Sequence, residues 1–186
     1  ALHFVRRRQR QMCIRDRLCL VQICFGDDIA HLLQLSKQPE EKPKNLIKLL
    51  KNKSITKIFH YGRFDLAMLN KNVGPVVGPI YCTKIASKLS RTFGAKHGLK
   101  DLCKDLLNIE LDKFNQTSDW GANKLSKNQL AYAAQDVLFL HELKIKLDEI
   151  LLREGKMNLA LECFESLKTR VKLDLEGFQE LDIFAH

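Results

Sequence analysis

A tyrosine and an aspartate, Tyr132 and Asp136, lie one helical turn apart in the stretch 130–140. Apolar residues recur at helical spacing through this stretch, so both polar side chains share one face of a predicted helix. The carboxylate suits a divalent metal in phosphodiester cleavage, and the phenol suits the orientation or deprotonation of a water molecule. The alternative is an ordinary amphipathic helix in which both residues serve packing and solvation. The pair needs support from other residues before it indicates a site.

A second carboxylate, Asp65, follows a predicted buried strand at 55–60. A helix is predicted to begin directly after this strand, so Asp65 lies where a strand end meets a helix start. Ligands of open α/β sheets gather at the carboxyl ends of strands, which places Asp65 within reach of a site. The alternative is that Asp65 only interacts with the positive end of its own helix.

Five runs of the chain, taken in order, resemble the DEDDy group of 3′-to-5′ exonucleases, the ribonuclease D branch of the ribonuclease H-like superfamily. These runs are 57–67, 82–89, 97–100, 118–120 and 182–186. From about Arg17 to His186 the chain is similar to the nanoRNase C family, which comprises short ribonuclease D relatives that degrade dinucleotides and short RNA from the 3′ end. Asp65 and the Tyr132–Asp136 pair match the second and third motifs of the group.

The resemblance implies an α/β fold of the ribonuclease H-like exonuclease type, with a mixed sheet flanked by helices. It also implies two Mg²⁺ or Mn²⁺ ions about 3.5–4 Å apart, held by Asp65, Asp136 and two further acids, with Tyr132 positioning the water. Asp65, Asp136 and Tyr132 are therefore the expected catalytic residues. Short RNA or dinucleotides are the expected substrates, single-stranded DNA is a second candidate, and a homo-oligomeric ring is the expected assembly.

Six further residues are candidate substrate contacts: His60, Arg63, Phe64, His97, Lys100 and Trp120. The cationic and imidazole side chains would contact phosphates, and Trp120 would stack on a base. Each has a simpler alternative. The basic residues suit a solvated surface, His60 suits a backbone contact at a strand end, Phe64 suits the core, and Trp120 suits an anchor for the loop with Ser118 and Asp119.

The first motif of the group, Asp-x-Glu on the opening strand, is missing. Before Glu40 the acids are Asp16, Asp27 and Asp28, and counting back from the matched run 15–17 puts Val5 and Arg7 at the motif's two acidic positions. The one Asp-x-Glu in the chain, at 174–176, follows a predicted helix, and we interpret it as a solvated turn before Gly177. Half of the expected metal ligands are therefore absent.

Residues 1–16 are atypical, and we interpret them as a non-native N-terminal segment. The run 6–16 has neither helical nor strand periodicity and resembles translated sequencing-adapter sequence. The alternative is a natural inactive homologue. The first strand is accordingly predicted to be truncated or altered, with 2–5 as a possible remnant. Residues 17–186 are predicted to form a single exonuclease domain without an added C-terminal nucleic-acid-binding domain.

Much of the positive charge lies in this same segment. The chain carries 31 basic and 22 acidic residues, a net charge of +9. Residues 1–17 hold six arginines and one aspartate, or +5, which leaves 25 bases against 21 acids, or +4. The remainder suits a very short nucleic acid better than a long duplex. A genuine basic arm for nucleic acid is the alternative.

Six cysteines without a Cys-x-x-Cys pair, and the lack of a long apolar run, predict a cytoplasmic protein. A hairpin is predicted from strands at 17–24 and 29–35, with a helix from about Asn45, a strand at 80–82 and a helix capped by Thr83. A further helix is predicted at 98–108, and a capping box at 126–129 opens the helix of Tyr132.

The sequence leaves three candidate functions: an exonuclease whose activity is impaired in the chain as written, an inactive nucleic-acid-binding homologue, and an assembly subunit with a vestigial site.

Overall fold

A computed structural model describes residues 2–6, 18–35, 43–91, 96–111, 120, 122 and 124–185. Its strands are β1 Leu2–Arg6, β2 Leu18–Cys24, β3 Ala30–Gln34, β4 Lys57–Phe59 and β5 Ile80–Cys82. Its helices are α1 Lys44–Lys51, α2 Gly62–Asn72, α3 Thr83–Ser90, α4 Leu99–Leu102, α5 Lys127–Leu138, α6 Leu140–Arg153 and α7 Met157–Leu175. A π-helical turn, Cys103–Leu107, continues α4. Mixed strands and helices confirm the predicted α/β class.

The described strands form two hydrogen-bonded sheets. Antiparallel strands in the order β1-β2-β3 form the first, and the parallel pair β4-β5 forms the second. The predicted hairpin is confirmed, because β2 pairs with β3 in antiparallel register. The predicted remnant of the opening strand is also present. In β1, Val5 is registered opposite Leu20 of β2.

Helices α2, α3, α6 and α7 build the main core around the β4-β5 pair. Leucines recur along α6 at intervals of three or four residues and are fully buried; they are Leu140, Leu143, Leu147 and Leu151. This spacing puts them on one face of the helix, which packs against α3 and α7. None of the helices in the described ranges is both long and apolar enough to cross a membrane.

A second, smaller core lies beneath α5. It joins Leu20 of β2 to Trp120, Leu125 and Ala133, with Tyr132 packed at its edge. The predicted capping box starts the helix: Gln129 N donates to Ser126 Oγ at 3.2 Å, and Ser126 N donates to Gln129 Oε1 at 2.9 Å. The hydroxyl and the amide satisfy two otherwise unpaired donors and fix where α5 begins.

Two local predictions were wrong. Thr83 is the first residue of α3 rather than its cap, and its hydroxyl bonds outside the helix. The single helix predicted at 98–108 changes to π-helical hydrogen bonding after Leu102. The apolar spacing of Leu99, Leu102 and Leu106 specifies a buried face, and both helix types can present one.

Candidate active site

Asp65 lies in the first turn of α2, directly after β4, and is 1% exposed. The predicted junction of strand end and helix start is therefore present. The chain enters α2 through Tyr61, whose φ of +66° is left-handed. The following residue, Gly62, is closely packed, because a Cβ there would lie 3.1 Å from Phe59 Cβ, which is tighter than ordinary van der Waals contact. The start of the helix that carries Asp65 is thus tightly determined.

Tyr132 and Asp136 lie on α5, one turn apart and both half-buried. The Tyr132 ring packs beside Trp120, with 6.0 Å between ring centroids. Burial, and then the negative charge of Asp136, raises the pKa of Tyr132 to about 12. The phenol therefore keeps its proton at neutral pH, which favours orientation of a water by hydrogen bonding over proton abstraction.

The opening strand β1 contacts both units that carry the two carboxylates. It touches α5 and β4, and α2 follows β4 directly. Val5 of β1 has no metal-binding atom, and Arg7 falls outside the described residues. Among the residues that the structure describes, no three of His, Cys, Asp and Glu form a metal-binding group. The carboxylates fit Mg²⁺ or Mn²⁺ chemically, but the donor set is half complete.

Two buried hydroxyls of α3 orient the two candidate histidines. Thr83 and Ser87 lie one turn apart and are both 0% exposed. Thr83 Oγ1 lies 2.9 Å from His60 Nδ1 and donates to the Phe59 carbonyl at 3.3 Å. The Thr83 hydroxyl therefore links the His60 ring to the backbone at the end of β4.

His97 is held by Ser87, whose Oγ lies 2.8 Å from His97 Nδ1. Burial lowers the pKa of the His97 imidazole below its usual 6.5, and the positive charges of Arg91, Lys88 and Lys84 lower it further. The imidazole therefore binds a proton less readily than a free histidine does, and it lies among cations. An anion bound there would relieve the repulsion between these groups.

His97 should titrate below pH 6.5 in the free chain, and its pKa should rise when a phosphate binds beside it. The ring protons of His97 in an NMR pH titration give this value directly. The Lys88→Gln variant should raise the pKa of free His97, because it removes one repelling charge. A His97 midpoint above 6.5 in the free chain, or one insensitive to Lys88→Gln, would contradict the electrostatic account.

The π-helical turn after His97 contacts α6, the helix that follows α5. Burial, followed by the negative charges of Glu142 and Asp136, raises the pKa of Cys103 in this turn to about 12. Lys100, a half-buried residue of α4, lies less than one turn before Cys103.

Arg63 projects to the side of α2 nearly opposite Asp65, and its role as a phosphate contact stays a prediction. Residues two apart on a helix project to nearly opposite sides. The guanidinium instead makes two hydrogen bonds to Asp174, at 2.7 Å each. The prediction of a solvated turn at 174–176 was therefore wrong at Asp174, which is 2% exposed.

The two aromatic candidates are core residues. Phe64 is 8% exposed and belongs to the main core, and Trp120 is 2% exposed beneath α5. The burial of both rings favours the core alternative for each, and the contact of Trp120 with a base stays a prediction. Trp120 packs against Tyr132, as expected of a residue that anchors its loop to the core. Ser118 and Asp119 of that loop lie outside the described residues.

Sequence reasoning missed Thr83 and Ser87 as partners of the histidines. A usable signal was present, because two hydroxyl residues at i and i+4 flank Ala86 on the buried face of α3. Polar residues on a buried face need hydrogen-bond partners, and histidines supply them here.

Comparison with known proteins shows the family of the chain. The sequence model of a 3′–5′ exonuclease family matches residues 7–152. Ribonuclease D of Acidiphilium cryptum is 33% identical over 149 residues, which cover 80% of this chain and 37% of that protein. This chain thus spans little more than a third of that curated relative.

Solved structures show the same likeness. NrnC of Brucella melitensis is 49% identical, with a TM-score of 0.93 over 100% of this chain and 88% of that one. Ribonuclease D of Escherichia coli is 25% identical, with a TM-score of 0.77 over 92% of this chain and 44% of that one. The chain belongs to the 3′–5′ exonuclease family, among the relatives of ribonuclease D.

Proposed function

We propose that this fold is a 3′–5′ exoribonuclease domain that hydrolyses short RNA and dinucleotides to nucleoside monophosphates. The observation that carries the proposal is the contact of β1 with both α5, which holds Asp136 and Tyr132, and β4, which leads into the helix of Asp65. The B. melitensis NrnC structures similar to this one include a complex with pGG, at a TM-score of 0.92, and one with Mg²⁺, at 0.91.

Asp65 and Asp136 would hold the divalent metals. Such ions lower the pKa of a bound water and stabilise the attacking and leaving oxygens in phosphodiester hydrolysis. Tyr132 keeps its proton and orients the attacking water through its hydroxyl. Trp120 holds the Tyr132 ring against the core, so the hydroxyl is presented from a fixed position.

The chain as written is impaired in this scheme. Val5 adds no donor to the metal site, and a cation at Arg7 would repel metal ions. Two carboxylates leave a pair of divalent ions poorly neutralised. A nucleic-acid-binding homologue without catalysis is the alternative function, because phosphate contacts need no metal.

His60, His97 and Lys100 are the proposed substrate contacts. His60 and His97 are oriented by buried hydroxyls, and Lys84, Lys88 and Arg91 supply positive charge around His97. Single-stranded DNA is a second candidate substrate. We also propose a homo-oligomeric ring, and a reducing, cytoplasmic setting in which the described cysteines stay as thiols.

The test is Mn²⁺-dependent release of mononucleotides from a 5′-labelled RNA dinucleotide and from a longer RNA. It compares this chain with the Val5→Asp, Arg7→Glu chain. We expect the altered chain to consume the dinucleotide first and to leave a 3′-blocked longer RNA intact. Well-folded samples that bind the dinucleotide without cleaving it would favour the alternative function. Samples that neither bind nor cleave it would overturn both.

A further inference from the structure

A buried ion pair ties the first turn of α2 to the end of α7. Arg63 donates from Nε to Oδ2 of Asp174 and from Nη2 to Oδ1, both at 2.7 Å. The Asp174 side chain is 3% exposed and the Arg63 side chain 25%. Two parallel hydrogen bonds fix the direction of a guanidinium as well as its distance. The pair therefore determines how the first turn of α2 lies against α7.

Each charge occupies the helix end that disfavours it. Arg63 is in the first turn of α2, where backbone N–H groups carry partial positive charge. Asp174 is in the last turn of α7, where carbonyl groups carry partial negative charge. Neither Arg63 nor Asp174 therefore stabilises the helix to which it belongs. The pair acts between the helices, where the two charges offset each other.

The segment after α7 accepts hydrogen bonds from Arg63 and from Arg170, a second arginine beside Asp174. Arg170 Nη2 lies 3.2 Å from Asp174 Oδ1 and donates to the carbonyls of Phe178 and Gln179 at 3.0 and 2.8 Å. Arg63 Nη2 also donates to the Gln179 carbonyl, at 3.0 Å. Arg63 is thus fixed by a carboxylate and by a carbonyl at once, which restricts its rotamer.

The inner side of the first turn of α2 is closely packed. Gly62 packs against Phe59, and its N–H donates to Cys82 Sγ at 3.4 Å. Asp65 projects from the helix on the side nearly opposite Arg63. Loss of the hydrogen bonds between Arg63 and Asp174 would free the outer side of the first turn of α2. That turn would then rotate, and Asp65 on its inner side would move with it.

We propose that Asp174 is a positioning residue for the exonuclease site, acting through Arg63 to hold Asp65 in the orientation that metal binding needs. The inference rests on the proposed function, because it assigns Asp65 to the metal. It gives the end of α7 and residues 176–181 a role in catalysis without contact with substrate.

The test uses the Val5→Asp, Arg7→Glu chain as reference and adds Asp174→Asn or Arg63→Lys to it. Glu165→Gln is the matched control, because Glu165 pairs with Lys168 at 2.7 Å on the exposed side of α7. Turnover of an RNA dinucleotide is measured against Mn²⁺ concentration, together with Mn²⁺ broadening of the amide NMR signals of residues 64–67.

We expect Asp174→Asn to raise the half-saturating Mn²⁺ concentration and to lower kcat, each by about tenfold, since small displacements of catalytic groups have effects of this size or larger. KM at saturating Mn²⁺ should stay within about twofold. Arg63→Lys keeps the charge but loses the paired hydrogen bonds, so it should show a smaller change in the same direction. Glu165→Gln should match the reference.

If the ion pair had only a structural role, its loss would lower the thermal stability of the chain. The Mn²⁺ dependence of turnover by the folded molecules would then stay unchanged. Folded Arg63→Lys and Asp174→Asn chains with the reference Mn²⁺ dependence would overturn the inference alone. If Asp174→Asn does not fold, Arg63→Lys decides. A reference chain that neither cleaves RNA nor shows Mn²⁺ broadening would overturn the proposed function and this inference with it.

Discussion

The Val5→Asp, Arg7→Glu chain is expected to release mononucleotides from an RNA dinucleotide at least about a thousandfold faster than the chain as written. Metal coordination supplies several kcal/mol of transition-state stabilisation, and about 4 kcal/mol corresponds to a thousandfold rate difference. Strand β1 is already present, with Val5 registered opposite Leu20 of β2. The Val5→Asp substitution therefore alters an existing strand, while position 7 lies outside the described residues. Initial rates with saturating Mn²⁺ give the comparison.

Two control chains separate ligand chemistry from the removal of a positive charge. Val5→Asn, Arg7→Gln has the same shape without carboxylates and should stay near the rate of the chain as written. Arg7→Gln alone removes the repulsive cation and should gain little, because the donor set stays half complete. Equal rates for the carboxylate and amide chains, at matched circular dichroism, would show that residues 5 and 7 are not metal ligands.

Features that depend on neighbours in sequence were predictable. The capping box needs only Ser126 and Gln129, three residues apart, and it starts α5 as expected. The short strand at 80–82 and the hairpin of β2 and β3 follow from apolar runs between turn residues. Because Tyr132 and Asp136 depend only on helical spacing, the sequence placed them on one face correctly.

Features that depend on distant contacts were not predictable by such rules. Arg63 and Asp174 are 111 positions apart, and near Gly177 local pattern alone suggested a solvated turn. Trp120 has a ring that suits both a base stack and a core, and only the packing of Leu20, Leu125 and Ala133 decides between them. Thr83 matches a helix cap by type, yet the end of β4 presents the Phe59 carbonyl and His60 to its hydroxyl.

In the Val5→Asp, Arg7→Glu chain, Asp136→Asn should lower kcat at least about a thousandfold. Tyr132→Phe should lower kcat about a hundredfold. The first removes a metal ligand, worth several kcal/mol, and the second removes only the hydroxyl that orients the water. Phenylalanine keeps the ring that packs on Trp120, so α5 should remain in place. Single-turnover rates at saturating Mn²⁺ measure both effects.

Glu142→Gln is the matched control, because Glu142 is an exposed acid in the next helix and should leave the rate unchanged. The pH profile distinguishes the two possible roles of Tyr132. With its pKa raised to about 12, the phenol stays protonated up to about pH 10, so Tyr132 should add no rise in rate from pH 7 to 9. A tenfold rise per pH unit that Tyr132→Phe abolishes would instead identify the phenolate as the base.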